Sequence, residues 1–157
     1  MTDSTTATTR RPVQTGALLV GAVFLVVGVL GFIPGITSNY DSLMLAGHES
    51  EAMLLGIFQV SILHNVVHLL FGVAGVIMAR TPGLAAGYLI GGGGIYAVLW
   101  VYGLIVGQES AANFVPVNSA DNWLHLGLAV VMALLGAVLP RNVADAPSPD
   151  RRAAGRS

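Results

Sequence analysis

The chain contains no cysteine, so disulfides, thiolate metal sites and cysteine nucleophiles are excluded. Lysine is missing too, and all seven cations are arginine. Only 10% of the 157 residues are charged, where a soluble domain carries about a quarter. The net charge is −1 and there is no basic stripe, which argues against nucleic acid as a partner. No Walker, GxSxG or dinucleotide signature occurs. The run Gly91-Gly92-Gly93-Gly94 lies inside an apolar segment, where no phosphate would bind.

What is present is hydrophobic: 54% of the residues are apolar and mean hydropathy is +0.74. This balance belongs to the membrane class. Four apolar runs predict an all-α, four-transmembrane-helix bundle with spans at about 15–33, 53–79, 84–106 and 122–139. They form one domain over 15–140, with tails 1–14 and 141–157 whose Ser/Thr-rich and Ala/Pro/Arg-rich compositions read as disordered. Little length remains for a water-soluble catalytic domain. The first run follows an Arg pair as a signal peptide would. It exceeds the 7–15 residues of a signal core, and no small-x-small cleavage site follows closely, so it reads as a retained anchor.

Four crossings put the N-terminus, the turn Arg80-Thr81-Pro82-Gly83 and the C-terminus on one side. That side holds Arg10, Arg11, Arg80, Arg141, Arg151, Arg152 and Arg156, and the other side holds no cation. Asp41, Glu49, Glu51, Glu109 and Asp121 lie in or beside the two longer loops of the cation-free side. The positive-inside rule predicts a multi-pass protein of the cell (plasma) membrane with both termini cytoplasmic. His64-Asn65-Val66-Val67-His68-Leu69 faintly repeats as Asp121-Asn122-Trp123-Leu124-His125-Leu126, which is compatible with two related helical hairpins.

Lipid removes the hydrophobic reason for helices to associate, so small residues and interhelical hydrogen bonds must replace it. Gly83, Gly87 and Gly91 on helix 3, Ala129, Ala133 and Ala137 on helix 4, and Ala17 with Gly21 on helix 1 recur every four residues and predict packing seams. On helix 2, Ser61, His64, His68, Gly72 and Gly75 share one face, and His125 heads a similar stripe on helix 4. These two faces are expected to meet inside the bundle. Both His64 and His125 stand 16 residues above an arginine, Arg80 and Arg141, a rise of about 24 Å.

Ionisable groups within a span are candidates for function because burying them in hydrocarbon is costly. Three uses of His64, Asn65, His68, Asn118, Asp121 and His125 fit the sequence. The plainest is interhelical hydrogen bonding. A haem or metal site is another, with His64, His68 and His125 as ligands. The pair reads HNVVH rather than HExxH, which excludes a zincin-type protease. The third is proton or small-solute transfer along Asp121, His125, His64 and His68; no Asp, Glu or His continues that path to the arginine side. Ser61, with only His64 nearby, is a weak candidate nucleophile, and His48, between Gly47 and Glu49, reads as solvated. Trp100, Tyr102, Phe114 and Trp123 read as interfacial anchors.

The pattern His64-Asn65-x-x-His68-Leu69-x-x-Gly72, with Pro116-x-Asn118-x-x-Asp121-x-x-x-His125-Leu126, resembles a group of small four-helix membrane proteins of actinobacteria, known only as a domain of unknown function. The resemblance covers about residues 12–140. It implies the four-helix architecture and singles out His64, Asn65, His68, Asn118, Asp121 and His125, without implying an activity. The sequence as a whole reads as a non-enzymatic structural or accessory membrane component. No cofactor is required, haem or metal being the alternative. The expected partners are lipid and either its own copies or a larger membrane complex.

Overall fold

The computed structural model describes residues 10–141. Four helices dominate: α1 (Pro12–Leu30), α2 (Ile62–Met78), α3 (Pro82–Ile105) and α4 (Ser119–Val138). Three of them, α1, α3 and α4, are long and apolar enough to cross a membrane, and α2 is a shorter apolar helix. The tail segments 1–9 and 142–157 lie outside the described residues, while Pro12–Gln14, expected in the first tail, already form the first turn of α1.

Packing is most extensive between α1 and α2 and between α3 and α4, with α1 also touching α3. The α1–α2 seam is made of glycine against glycine. A Cβ at Gly72 would stand 2.7 Å from the Leu25 backbone nitrogen and 2.8 Å from the Gly21 oxygen; at Gly75 it would stand 2.8 Å from Gly21 Cα. On the other side Gly93 faces the backbone of Ala129 and Ala133, and Gly136 faces Ile90.

The expected seam on helix 3 is therefore in the wrong place. Gly83, Gly87 and Gly91 face outward, with nothing within 4 Å of where a Cβ would stand. Ala137 is exposed as well. The buried face of α3 is instead Ala85, Ala86, Tyr88, Leu89, Gly92, Gly93 and Tyr96. Four-residue spacing marks a stripe but not its partner, and α3 is apolar all round, so sequence could not choose between its faces.

One end of the bundle gathers the arginines among the described residues. The Gln14 amide donates from Nε2 to the carbonyls of Ala79 and Arg80, both at 3.0 Å, satisfying acceptors that the end of α2 leaves open. Its Oε1 accepts the Arg11 backbone N–H at 3.0 Å, and the Arg11 guanidinium donates to the Arg141 carbonyl. The start of α1, the α2–α3 turn and the end of α4 thus lie together.

The opposite end carries a compact cap not anticipated from sequence. Strands β1 (Thr37–Ser38), β2 (Met53–Leu54) and β3 (Phe58–Gln59) form an antiparallel sheet in that order. A short 3₁₀ turn, Tyr40–Ser42, lies between β1 and β2. Ala52, Leu54 and Val60 are the buried centre of the cap, packed against Val27 and Leu30 of α1. The run 53–61, expected to open the second span, is consequently not helical; Leu55 and Gly56 turn the chain at φ 55° and 71°. Helix α2 starts only after Ser61, whose hydroxyl accepts the His64 N–H at 3.1 Å.

Candidate functional site

The histidines sit in the middle of the four helices, all buried: His64 and His68 from α2 and His125 from α4. Helical periodicity places His64 and His68 one turn apart on one face. Their rings stack with centroids 4.4 Å apart and planes 6° from parallel. The His64 carbonyl accepts a hydrogen bond from His68 Nδ1 at 3.0 Å. Because a carbonyl can only accept, Nδ1 of His68 carries a proton.

The faces of α2 and α4 do not pack directly as expected. Aromatic rings of the other two helices stand between them. His68 lies 5.4 Å from Phe24 of α1, Phe24 stacks on Tyr96 of α3 at 5.5 Å and 21°, and Tyr96 lies 5.3 Å from His125. Each helix contributes one ring to this ladder. Phe71 braces it, edge-on to both Phe24 and Tyr96. The physical reason is that Phe24 and Tyr96 fill the axis of the bundle, so backbones of the diagonal helices stay apart while their side chains converge.

Hydrogen bonding around the ladder is incomplete. Nδ1 of His64, Nδ1 of His125, Nδ2 of Asn65 and the hydroxyl of Tyr88 are buried without a partner. Asn65 is turned away from the other candidates, toward α1, where its amide occupies the space that a Cβ on Gly31 would need. No group of three or more His, Asp or Glu side chains among the described residues is placed to hold a metal ion.

Asp121 and Asn118 form a second cluster at the cap end. Asn118 caps α4 by accepting the Asp121 N–H at 2.9 Å, and Asp121 Oδ2 accepts the Asn118 N–H in return at 3.1 Å. The same carboxylate oxygen accepts the N–H of Gln59 in β3 at 3.0 Å. Asn118 Nδ2 donates to the Ile57 carbonyl at 2.8 Å. Gln59 continues the net, donating from Nε2 to the carbonyls of His48 and Ser50 at 3.0 and 2.8 Å. His48 therefore enters only through its backbone. Ser61 is the N-cap of α2, its hydroxyl accepting the His64 N–H.

Several of these residues escaped the sequence reading. Gln59 and Gln14 are lone amides at the edges of apolar runs. Phe24 and Tyr96 sit inside such runs, where only their size distinguishes them. A four-helix bundle, with three helices long and apolar enough to cross a membrane and a buried core of histidine and aromatic rings, is the class that fold and site define. Residues 14–138 match the family described as Domain of unknown function (DUF4383), and the chain belongs to that family. No curated protein and no solved structure matches it.

Proposed function

We propose that the chain is a multi-pass plasma-membrane protein with four crossings and both termini cytoplasmic. In this reading it is a non-enzymatic structural or accessory component, in which Asn118 and Asp121 hold α4 to the outward-facing cap and the histidines pack among the aromatic rings. The bilayer is its first partner, with its own copies or a larger membrane complex as the others. The observation that carries the reading is the use of the one buried acid among the described residues: Asp121 engages two backbone N–H groups, from Gln59 and Asn118, and thereby joins α4 to β3. A carboxylate held in this way serves architecture. Orientation is supported by Arg10, Arg11, Arg80 and Arg141, which belong to the end where α1 starts and α4 stops.

The unpartnered Nδ1 atoms of His64 and His125 favour one second reading, a haem or metal held between α2 and α4. The visible spectrum and metal content of the purified protein separate the two. The structural reading expects a colourless, metal-free preparation. A Soret band or bound metal that disappears in His64→Ala and His125→Ala would replace it. A proton or solute path through Asp121 and the histidines requires flux in proteoliposomes that is lost in Asp121→Asn; the structural reading expects none.

A further inference from the structure

Helix α2 has 17 residues, fewer than any of the other three helices. At about 1.5 Å per residue it rises roughly 26 Å, less than the hydrocarbon thickness of about 30 Å. Its lower end is fixed by the Arg80 turn, tied to the start of α1 through Gln14. The upper end of α2 therefore stops short of the far edge of the hydrocarbon. What adjoins that end is non-helical: Ile62 N–H donates to the Met44 carbonyl at 3.0 Å and Leu63 N–H to the Leu45 carbonyl at 2.9 Å. The β2–β3 hairpin is set at a matching level on α4, held to its first turn through Asn118 and Asp121.

The hairpin has the wrong composition for a turn in water. Residues 53–58 read MLLGIF, with no polar side chain. Leu54 points into the cap and is 4% exposed, whereas Leu55 and Ile57 are 60% and 52% exposed and Leu45 is 72% exposed. Leu55 also holds the left-handed conformation that glycine and asparagine normally occupy. The N–H groups of the turn, by contrast, are all paired within the protein. Leu55 N–H donates to Ile36 O at 2.9 Å, Gly56 N–H to Met53 O at 3.2 Å and Ile57 N–H to Leu54 O at 3.1 Å, while Ile57 O accepts from Asn118. Non-helical backbone can sit at membrane depth only when its polar groups are paired within the protein.

We propose that Met44–Leu45 and the hairpin Met53–Gln59 form a lipid-embedded collar in the leaflet opposite the arginine end. Leu45, Leu55 and Ile57 contact acyl chains and complete the crossing that α2 leaves short. Glu51, just before β2, and Glu109, in the connection between α3 and α4, are exposed acids. The inference rests on the membrane-crossing reading, and its test keeps the two apart.

Because the chain has no cysteine, single-cysteine variants can be spin-labelled in the full-length protein and reconstituted into phosphatidylcholine/phosphatidylglycerol vesicles. Collision with oxygen reports lipid exposure, and collision with a water-soluble nickel chelate reports water. Val98→Cys, on an exposed position of α3, is the lipid reference and Glu109→Cys the water reference. Labels at Leu55→Cys and Leu45→Cys should collide with oxygen several-fold more than with nickel, as at Val98. Nickel accessibility equal to that at Glu109 overturns the collar while leaving the crossing intact. Protection from both reagents overturns it as well, because it means that another protein surface covers the hairpin. A Val98 label that behaves like Glu109 overturns the crossing itself, and the collar with it.

Discussion

The backbone nitrogen of Gln59 lies 3.0 Å from Oδ2 of Asp121, a buried carboxylate 62 positions further along the chain. One side chain thus sets where the cap sits on the bundle, since the same oxygen also closes the capping box with Asn118. The ring that α4 contributes to the ladder, His125, lies one turn further along the same helix.

Replacing Asp121 tests whether the clamp is architectural. Asp121→Ala leaves two half-buried N–H groups without this acceptor, at a cost of about 1–3 kcal/mol. Asp121→Asn keeps an acceptor oxygen at the same place and should lose less than half of that. Thermal unfolding in detergent, followed by the fluorescence of nearby Trp123, gives the comparison. An Asn variant as unstable as the Ala variant would show that the charge, and not the acceptor, is what matters.

The ring ladder makes a different prediction. Phe24 touches His68, Phe71 and Tyr96 and is 3% exposed. Truncation to alanine opens a cavity at the centre of all four helices, and large aromatic deletions of this kind cost about 3–5 kcal/mol. Phe24→Leu refills most of the volume and should recover over half of the loss. If both variants melt with the wild type, the rings are not the core of the bundle.

The sequence carried some of this architecture and hid the rest for identifiable reasons. Runs such as 15–33 and 122–139 announce their helices because nothing but a long apolar segment has that composition. Arg80 and Arg141 mark one end because cations avoid hydrocarbon. The cap was invisible: in MLLGIF both faces of the hairpin are apolar, so neither alternation nor polarity separated it from the helix that follows. Only Gly56 and the capping residue Ser61 hinted at a break. Asp121 could be named as a candidate acid beside a span, but its bond to Gln59 depends on a fold that brings β3 to α4. Likewise His68 and His125 were recognisable as buried, while the rings between them come from two other helices.

Glycine position decides a third prediction. Gly72→Ala puts a methyl group 2.7 Å from backbone of α1, a contact that can be relieved only by parting α1 from α2. It should cost about 1–3 kcal/mol, as overpacking in close-packed interiors does. Gly87→Ala points into open space on α3 and removes a glycine from a helix interior, so the monomer should be unchanged or more stable, by up to about 1 kcal/mol. Equal destabilisation by the two substitutions, measured as thermal midpoints in detergent, would contradict the seams described here.

The arginine end offers the last test. Among the described residues, Gln14 is the single side chain that both accepts from the start of α1 and donates to the end of α2. Gln14→Ala removes all three bonds, and with partial exposure to water the loss should be about 1–2 kcal/mol. Gln14→Glu is the informative partner. It keeps the acceptor for Arg11 and suits the positive end of the α1 dipole, but it cannot donate and sets a negative charge against the Ala79 and Arg80 carbonyls. If the bridge between helices is what matters, Gln14→Glu will be no more stable than Gln14→Ala. Recovery to wild-type stability in the glutamate variant would mean that Gln14 acts only as a cap for its own helix.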